Sequence, residues 1–180
     1  MGNYLGIMYH MDNLTKLQTI GYVRDQWQAF SGSVPIVDTL LYFDIDTLIC
    51  FNDIFGMEES DRKLSFVACK IRESIPEKYP VVRFAGEEFM ALINEIDFPE
   101  EKLLKLLKEL NDPNYKIKVS YSNIDHFSVS CCMMKIGALS SFEQLGVLTD
   151  KAIEAIRKKK SPTNFRKYKY QGVLAVENAA

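Results

Sequence analysis

An apolar run over residues 36–43 constrains the fold of this chain more than any other feature of its sequence. The run has the length of a strand, is rich in β-branched and aromatic residues, and ends at Asp44-Ile45-Asp46. A strand that is apolar on both faces must be covered on both faces, which predicts a central position in a sheet. The carboxylates that follow are therefore expected at the edge of the sheet, where open α/β sheets bind ligands.

Helical and strand patterns alternate along the rest of the chain. The spacing of apolar residues predicts helices over residues 12–30, 47–57, 59–75, 99–110 and 141–160, and further strands over 81–84, 88–94, 115–121 and 127–136. This order predicts an α/β fold with a mixed or antiparallel central sheet of about five strands flanked by helices. We expect one domain over residues 12–170, a tail or linker-helix end over 1–11, and a C-terminal tail over 171–180.

Composition excludes several classes of protein. The 180 residues carry a formal net charge of -2, so no overall positive field is available to bind nucleic acid. No segment approaches the roughly 20 apolar residues that a membrane helix needs. Four cysteines without a CxxC pair and only two histidines argue against zinc. The cysteines are expected to be reduced and packed as small hydrophobic residues, as in the cytoplasm.

A short acidic turn is the second feature that indicates a site. Ala85-Gly86-Glu87 separates two predicted strands, and Glu88 follows directly. Taken alone, such acids are ordinary solvated turn residues, and Asp44 could simply cap the next helix. If the strands are neighbours, however, Asp44 and the turn converge, and converging carboxylates repel one another unless a cation neutralises them. Hard oxygen ligands at an open site suit Mg²⁺, which binds one or two carboxylates together with phosphate oxygens.

These residues resemble the motifs of a known family. The stretch FDIDTLICFNDIFGMEESD (43–61) resembles the GGDEF family's FDxDxFKxxNDxxGxxxGD block, and RFAGEEF (83–89) resembles its signature turn RxGG(D/E)EF. DNLTKL (12–17), FSVSCC (127–132) and TDKAIEAIR (149–157) resemble further family motifs in the same order. The resemblance implies the nucleotide-cyclase, palm-like fold and the synthesis of cyclic di-GMP from two GTP.

The resemblance also implies roles for individual residues. Asp44 and the backbone carbonyl of Ile45 match the family's ligands for Mg²⁺ or Mn²⁺. Glu87 matches the acidic residue of the family's turn that is both metal ligand and catalytic, with Glu88 beside it as a second catalytic candidate.

The substrate-binding candidates follow in the same way. Asn52 and Asp61 match the pair that hydrogen-bonds guanine, whose N1–H and N2–H₂ edge suits a carboxylate acceptor. Ala85 and Gly86 belong to the turn that approaches the nucleotide, and Arg157 falls at a phosphate-contacting lysine. Taken alone, each of these polar residues could be a turn, capping or surface residue. Because two GTP must meet head to tail, the resemblance implies a catalytic homodimer, and an upstream sensor domain is a possible partner.

Three departures from the family pattern concern activity and regulation. Ile49 occupies the position of a lysine that would supply positive charge to the phosphates, and Ala85 replaces the first glycine of the turn. The family's product-inhibition motif would need arginine at 76 and aspartate at 79, where this chain has Pro76 and Tyr79. The inhibitory site is therefore predicted to be absent.

Other functions remain open at this level. The loss of the lysine favours a degenerate module that binds GTP or a protein partner without turnover. A related cyclase with a different cyclic dinucleotide product is a further alternative, against which Asp61 argues weakly. A nucleic-acid polymerase palm is related by fold analogy only, and the absence of a basic groove counts against it.

Overall fold

A computed structural model describes residues 10–27, 37–46, 48–112, 128–136, 141–159 and 174–178. The strands in this part are β1 (Gln18–Thr19), β2 (Thr39–Asp46), β3 (Val81–Ala85), β4 (Glu88–Ile93), β5 (Ser128–Lys135) and β6 (Leu174–Asn178). The helices are α1 (Ile20–Asp25), α2 (Leu48–Phe55), α3 (Met57–Ser74), α4 (Glu100–Leu110) and α5 (Phe142–Lys159). The predicted strand over 115–121 lies outside the described residues.

One mixed sheet organises these elements, in the order β1-β3-β4-β2-β5-β6. The four inner strands, β3, β4, β2 and β5, are antiparallel to one another. The two edge strands pair in parallel, β1 with β3 and β6 with β5. Every residue of β2 except Asp44 is buried, so the predicted central strand is confirmed. Its observed bounds are shifted toward the carboxyl end, because Asp44, Ile45 and Asp46 also pair with β5.

Helices cover both faces of the sheet and create two hydrophobic cores. Alternate residues of β2, Leu41, Phe43 and Ile45, pack on one face against α3 and α4. The other set, Leu40 and Tyr42, faces α1 and α5. This arrangement confirms the predicted α/β fold with a sheet flanked by helices. It also fixes which side chains share a face at the end of β2.

The helix predicted over residues 12–30 is wrong for most of its described length. Helix α1 spans Ile20–Asp25, and a turn precedes it. Asp12 accepts hydrogen bonds at 2.7 Å from both the backbone N–H and the hydroxyl of Thr15, and Lys16 adopts a φ of 58°. Aspartate and threonine side chains that bond the local backbone compete with helix formation, and here they stabilise the turn.

The remaining helix boundaries agree closely with prediction, but the C-terminal segment differs. Residues 171–180 were expected to be a tail, whereas Leu174–Asn178 form β6 beside β5. The apolar periodicity of the sequence gave little signal for this strand. Its register depends on pairing with residues more than forty positions earlier in the chain, as Leu174 pairs with Cys131.

The cysteines are free, but only two pack as small hydrophobic residues. Cys131 and Cys132 are buried in β5, whereas Cys50 and Cys69 are exposed, contrary to the prediction for all four. Burial raises the pKa of the Cys131 thiol well above its usual value, which keeps it protonated and unreactive. Within the described segments, no helix is long and apolar enough to cross a membrane.

Candidate metal and nucleotide site

The carboxyl end of β2 meets the turn between β3 and β4 at one edge of the sheet. Asp44 pairs directly with Glu88 in the antiparallel β2–β4 register. The Ile45 N–H donates a hydrogen bond to the Glu87 carbonyl at 3.2 Å. Directly opposed residues of an antiparallel pair project from the same face, with Cβ atoms about 5 Å apart. The predicted convergence of Asp44 with the acidic turn is thus present, and we call Asp44, Glu87 and Glu88 the acidic rim.

The turn owes its shape to Gly86. Its φ is 33°, in the region that favours glycine, and open space surrounds the position that a Cβ would occupy. The β3–β4 register shifts between Arg83 and Ala85, which marks a bulge just before the turn. Ala85 is exposed and does not have a positive φ. An alanine can therefore occupy this position of the turn, where the family pattern has a glycine.

Arg83 connects the turn to the N-terminal segment. Its Nε and one terminal nitrogen donate to the Gly86 carbonyl at 2.8 and 2.6 Å, and the other nitrogen donates to Asp12 at 3.1 Å. Burial acts to raise the pKa of Asp12, but hydrogen bonds from Thr15 and Arg83 outweigh it and lower that pKa. Sequence reasoning treated Asp12 as a helix cap and gave Arg83 no role. The motifs DNLTKL and RFAGEEF contained both residues, but nothing in the sequence showed that they meet.

Asp46, the second aspartate of the Asp44-Ile45-Asp46 segment, has a structural role. Asp46 is buried, and its carboxylate accepts hydrogen bonds from the hydroxyls of Ser128 at 2.5 Å and Ser130 at 2.9 Å. These bonds join the ends of β2 and β5 and satisfy a carboxylate that burial would otherwise destabilise. Asp44 is the carboxylate of this segment that lies on the acidic rim, opposite Glu88.

Helix α5 brings a cation to the same face. Ala152, Ala155 and Ile156 pack in the core against Tyr42, and the exposed Arg157 follows them. Burial raises the pKa of Tyr42, a hydrogen bond with Glu88 and the charges of Glu88 and Asp44 raise it further, and the charge of Arg157 lowers it. Arg157 therefore lies within electrostatic range of Tyr42, which neighbours the acidic rim on β2.

The corner between α2 and α3 contains a second group of polar atoms. Gly56, with a φ of 85°, joins the helices, and its N–H donates to the Asn52 carbonyl at 2.8 Å. Three side-chain oxygens here are buried without a hydrogen-bond partner: Asn52 Oδ1, Glu59 Oε1 and Ser60 Oγ. Asp61 follows them and is half-buried. Buried acceptors without donors are unfavourable in the free protein, so this corner is suited to a ligand that presents N–H groups.

Apolar contacts hold the corner together and leave Ile49 outside. The rings of Phe51 and Phe55 lie 4.5 Å apart, and the Lys63 ammonium lies 5.6 Å from the Phe51 ring centroid. Ile49 is 71% exposed, so its side chain contributes little to packing. The position where the family pattern has a lysine is thus free of structural constraint from the core.

The acidic rim fits a divalent cation in its chemistry. Two half-buried carboxylates, Asp44 and Glu88, stand directly opposite each other, an arrangement that is unfavourable without a counter-charge. No group of three or more histidine, cysteine or acidic residues able to hold a metal occurs in the described part of the chain. Mg²⁺ does not require such a group, because it commonly takes one or two carboxylates and completes its shell with phosphate oxygens and water.

Comparison with known proteins agrees with the fold and the motifs. The family model described as "Diguanylate cyclase, GGDEF domain" matches residues 9–163. The chain therefore belongs to the GGDEF-domain family. Among solved structures, it is similar to the GGDEF domain of DgcB from Caulobacter crescentus in complex with c-di-GMP. The TM-score is 0.69 at 20% identity, over 93% of this chain and 95% of that one.

Two curated proteins are similar in sequence. The chain is 26% identical over 121 residues to the uncharacterized protein YhcK of Bacillus subtilis, covering 67% of this chain and 33% of that protein. It is 28% identical over 120 residues to the bifunctional diguanylate cyclase/cyclic di-GMP phosphodiesterase MucR of Pseudomonas aeruginosa, covering 62% and 18%. The matched segment thus spans about a third or less of these relatives' lengths.

Proposed function

We propose that this chain condenses two GTP to cyclic di-GMP with release of two pyrophosphates, by metal-assisted nucleotidyl transfer in a homodimer that brings two sites face to face. The observation that carries the proposal is the β2–β4 register, which sets Asp44 opposite Glu88 and bonds Ile45 to Glu87. Membership of the GGDEF-domain family supports the reaction class. A cytoplasmic location follows from the substrate and belongs to the same proposal.

Asp44, the Ile45 carbonyl and Glu87 would hold Mg²⁺ or Mn²⁺. A bound cation would neutralise charge that develops on the α-phosphate during the transfer. Glu87 and Glu88 would orient and deprotonate the 3′-hydroxyl of the facing GTP. Gly86 and the exposed Ala85 would let the triphosphate approach the turn backbone, and Arg157 would contact a phosphate from α5.

Asn52 and Asp61 would select guanine. The Asn52 Oδ1 atom is buried without a donor, and the N1–H and N2–H₂ edge of guanine supplies such donors. Adenine has neither an N–H at position 1 nor an amino group at position 2, so it cannot present the same pair of donors to these acceptors. Glu59 Oε1 adds to the same excess of acceptors at the corner, and the Ser60 hydroxyl there can accept or donate.

The second candidate is a module that binds GTP without turnover. The exposed Ile49, at the position of the family's lysine, favours it, because a missing cation near the phosphates removes stabilisation from the transition state. A cyclase with another dinucleotide product is the third candidate.

Product analysis separates these candidates. The wild-type protein incubated with GTP, with ATP and with their mixture, in Mg²⁺ or Mn²⁺, is expected to yield cyclic di-GMP from GTP alone, detected by mass spectrometry. Glu87→Gln should lower the rate at least about a hundredfold, as for loss of a preorganised charge contact at a reacting centre. Glu101→Gln, on an exposed position of α4, is the matched control and should leave the rate unchanged.

Product formation that survives in Glu87→Gln would remove the acidic rim from the mechanism. GTP binding with no product at any protein concentration would establish the module without turnover. A mixed dinucleotide from GTP and ATP would contradict the guanine assignment of Asn52 and Asp61.

A further inference from the structure

The first turn of α3 contains two glutamates with different surroundings. Glu58 and Glu59 both form ion pairs with Arg62, at 2.5 and 3.0 Å. The Glu58 side chain is 85% exposed, as is usual for an acid that favours the amino end of a helix through its charge. The Glu59 side chain is only 12% exposed. Glu59 is therefore not a solvated surface residue of α3, although its neighbour Glu58 is.

The two carboxylate oxygens of Glu59 also differ from each other. Oε2 accepts the hydrogen bond from Arg62, and this bond holds the side chain in one orientation. Oε1 is buried and accepts no hydrogen bond from any residue that the structure describes. A buried acceptor without a donor is unfavourable, and more so when it carries charge. The position of Oε1 is explained if a ligand supplies the missing donor.

Backbone hydrogen bonds join this turn to Asn52, one of the proposed guanine-reading residues. The Gly56 N–H donates to the Asn52 carbonyl at 2.8 Å, and the Ser60 N–H donates to the Gly56 carbonyl at 3.3 Å. Ser60 is 3% exposed, and its hydroxyl, like Asn52 Oδ1, has no partner among the described residues. The family pattern has a glycine at position 60 and no fixed residue at position 59, so it does not account for either side chain.

Guanine has one more donor than the two proposed residues use. Its N1–H and its 2-amino group together present three N–H groups, and one hydrogen bond each to Asn52 and Asp61 leaves the third unpaired. An inward carboxylate oxygen at the same corner is the acceptor that a third N–H requires. Two of the three N–H groups belong to the 2-amino group, which makes that group the partner for Glu59.

We propose that Glu59 is a further specificity-determining residue of the nucleotide site, whose Oε1 atom accepts a hydrogen bond from the 2-amino group of guanine. This inference rests on the proposed function and deepens it. It assigns recognition of the 2-amino group to a side chain that Arg62 holds in place, so the site distinguishes guanine from hypoxanthine as well as from adenine.

Inosine nucleotides test this assignment, because hypoxanthine is guanine without the 2-amino group. GDP and IDP are the probes, since neither carries the pyrophosphate leaving group of the proposed reaction. Titration calorimetry in Mn²⁺ should show that the wild type binds GDP at least about tenfold more tightly than IDP. Glu59→Ala should bind GDP about tenfold more weakly and IDP as the wild type does, as for loss of one hydrogen bond to a charged group.

Glu58→Ala is the matched control. It removes an acid from the same turn and an ion pair from the same Arg62, but leaves the buried oxygen of Glu59 in place. It should keep the full preference for GDP. The melting temperature of Glu59→Ala without nucleotide should equal or exceed that of Glu58→Ala, because it also removes an unsatisfied buried oxygen.

The outcomes separate this inference from the proposed function. Equal affinity of the wild type for GDP and IDP, or a full GDP preference in Glu59→Ala, would overturn the role of Glu59 alone. Equal weakening of both nucleotides, or a Glu59→Ala variant much less stable than Glu58→Ala, would indicate a structural carboxylate and would also overturn it. Wild-type protein that binds neither nucleotide would overturn both proposals.

Discussion

At the scale of single residues, three buried polar atoms without a hydrogen-bond partner lie at the α2–α3 corner, namely Asn52 Oδ1, Glu59 Oε1 and Ser60 Oγ. Three others lie in the N-terminal segment, outside the candidate site: His10 Nδ1, Gln18 Oε1 and Trp27 Nε1. Asp46, by contrast, is buried but fully engaged with two serines. Unsatisfied groups destabilise the free protein, so the three at the α2–α3 corner are what a site that binds a polar ligand requires.

Ile49 allows a test by gain of function. Because the side chain is 71% exposed, Ile49→Lys adds a cation to the amino-terminal turn of α2 at little cost in packing. If the triphosphate lies as proposed, the rate of cyclic di-GMP formation should rise about tenfold or more, through stabilisation of the transition-state charge. Initial rates at saturating GTP, followed by chromatography of the product, measure this change.

Ile54→Lys is the control for added charge. Ile54 lies on the same helix and is 50% exposed. Because it is five residues after Ile49, its side chain faces a different direction from the helix axis. The Ile54→Lys variant should therefore have little effect on the rate. Equal rates for both variants and the wild type would mean that the phosphates do not approach position 49.

At the scale of elements, the turn between β3 and β4 is the part most dependent on one residue. Gly86 has a φ of 33°, its carbonyl accepts from Arg83, and the bulge at Arg83 and Ala85 precedes it. The link from Arg83 to Asp12 fastens this turn to the N-terminal segment. The backbone of the turn, rather than a packed side chain, therefore sets the position of Glu87 and Glu88.

Glycine substitutions at two positions should shift stability in opposite directions. Gly86→Ala forces a left-handed backbone on a residue with a Cβ, and we expect a loss of about 1 kcal/mol in unfolding free energy. Gly146→Ala, at an exposed position in the second turn of α5 with open space around it, should gain about 0.5–1 kcal/mol. Urea unfolding monitored by circular dichroism measures both. A stabilised Gly86→Ala would mean that the turn can adopt a conformation with negative φ.

The sequence predicted the elements with strong apolar periodicity and missed those that depend on distant partners. The buried strand β2 and the helices α3, α4 and α5 follow from the spacing of their apolar residues. The turn at Asp12 was read as a helix, because a capping aspartate followed by spaced apolar residues resembles one. The contact between Asp12 and Arg83 joins residues 71 positions apart, and periodicity carries no signal for it.

At the scale of the whole molecule, the residues that the proposed reaction requires lie at one edge of the sheet. The ends of β2 and β3 and the starts of β4 and β5 meet there, and α5 brings Arg157 to the same face. The two cores on either side of the sheet keep these strands in fixed register. The site candidates of the sequence, namely Asp44, Glu87 and Glu88, converge because of this topology, which pairs the end of β2 with the start of β4.

The central claim is that Asp44 anchors a cation through which the acidic rim binds GTP. The direct measurement is titration calorimetry of GTP binding, with and without Mn²⁺, for the wild type, Asp44→Asn and Asp150→Asn. The last variant removes an exposed carboxylate from α5 and serves as the matched control.

We expect Mn²⁺ to tighten GTP binding to the wild type and to Asp150→Asn by the same factor. In Asp44→Asn, the factor by which Mn²⁺ tightens GTP binding should be at least about tenfold smaller, which is equivalent to roughly 1.4 kcal/mol. The reason is that a neutral amide cannot offset the charge of the cation. Equal Mn²⁺-dependent affinity for GTP in all three proteins would contradict the assignment of Asp44 and the acidic rim as the metal and nucleotide site.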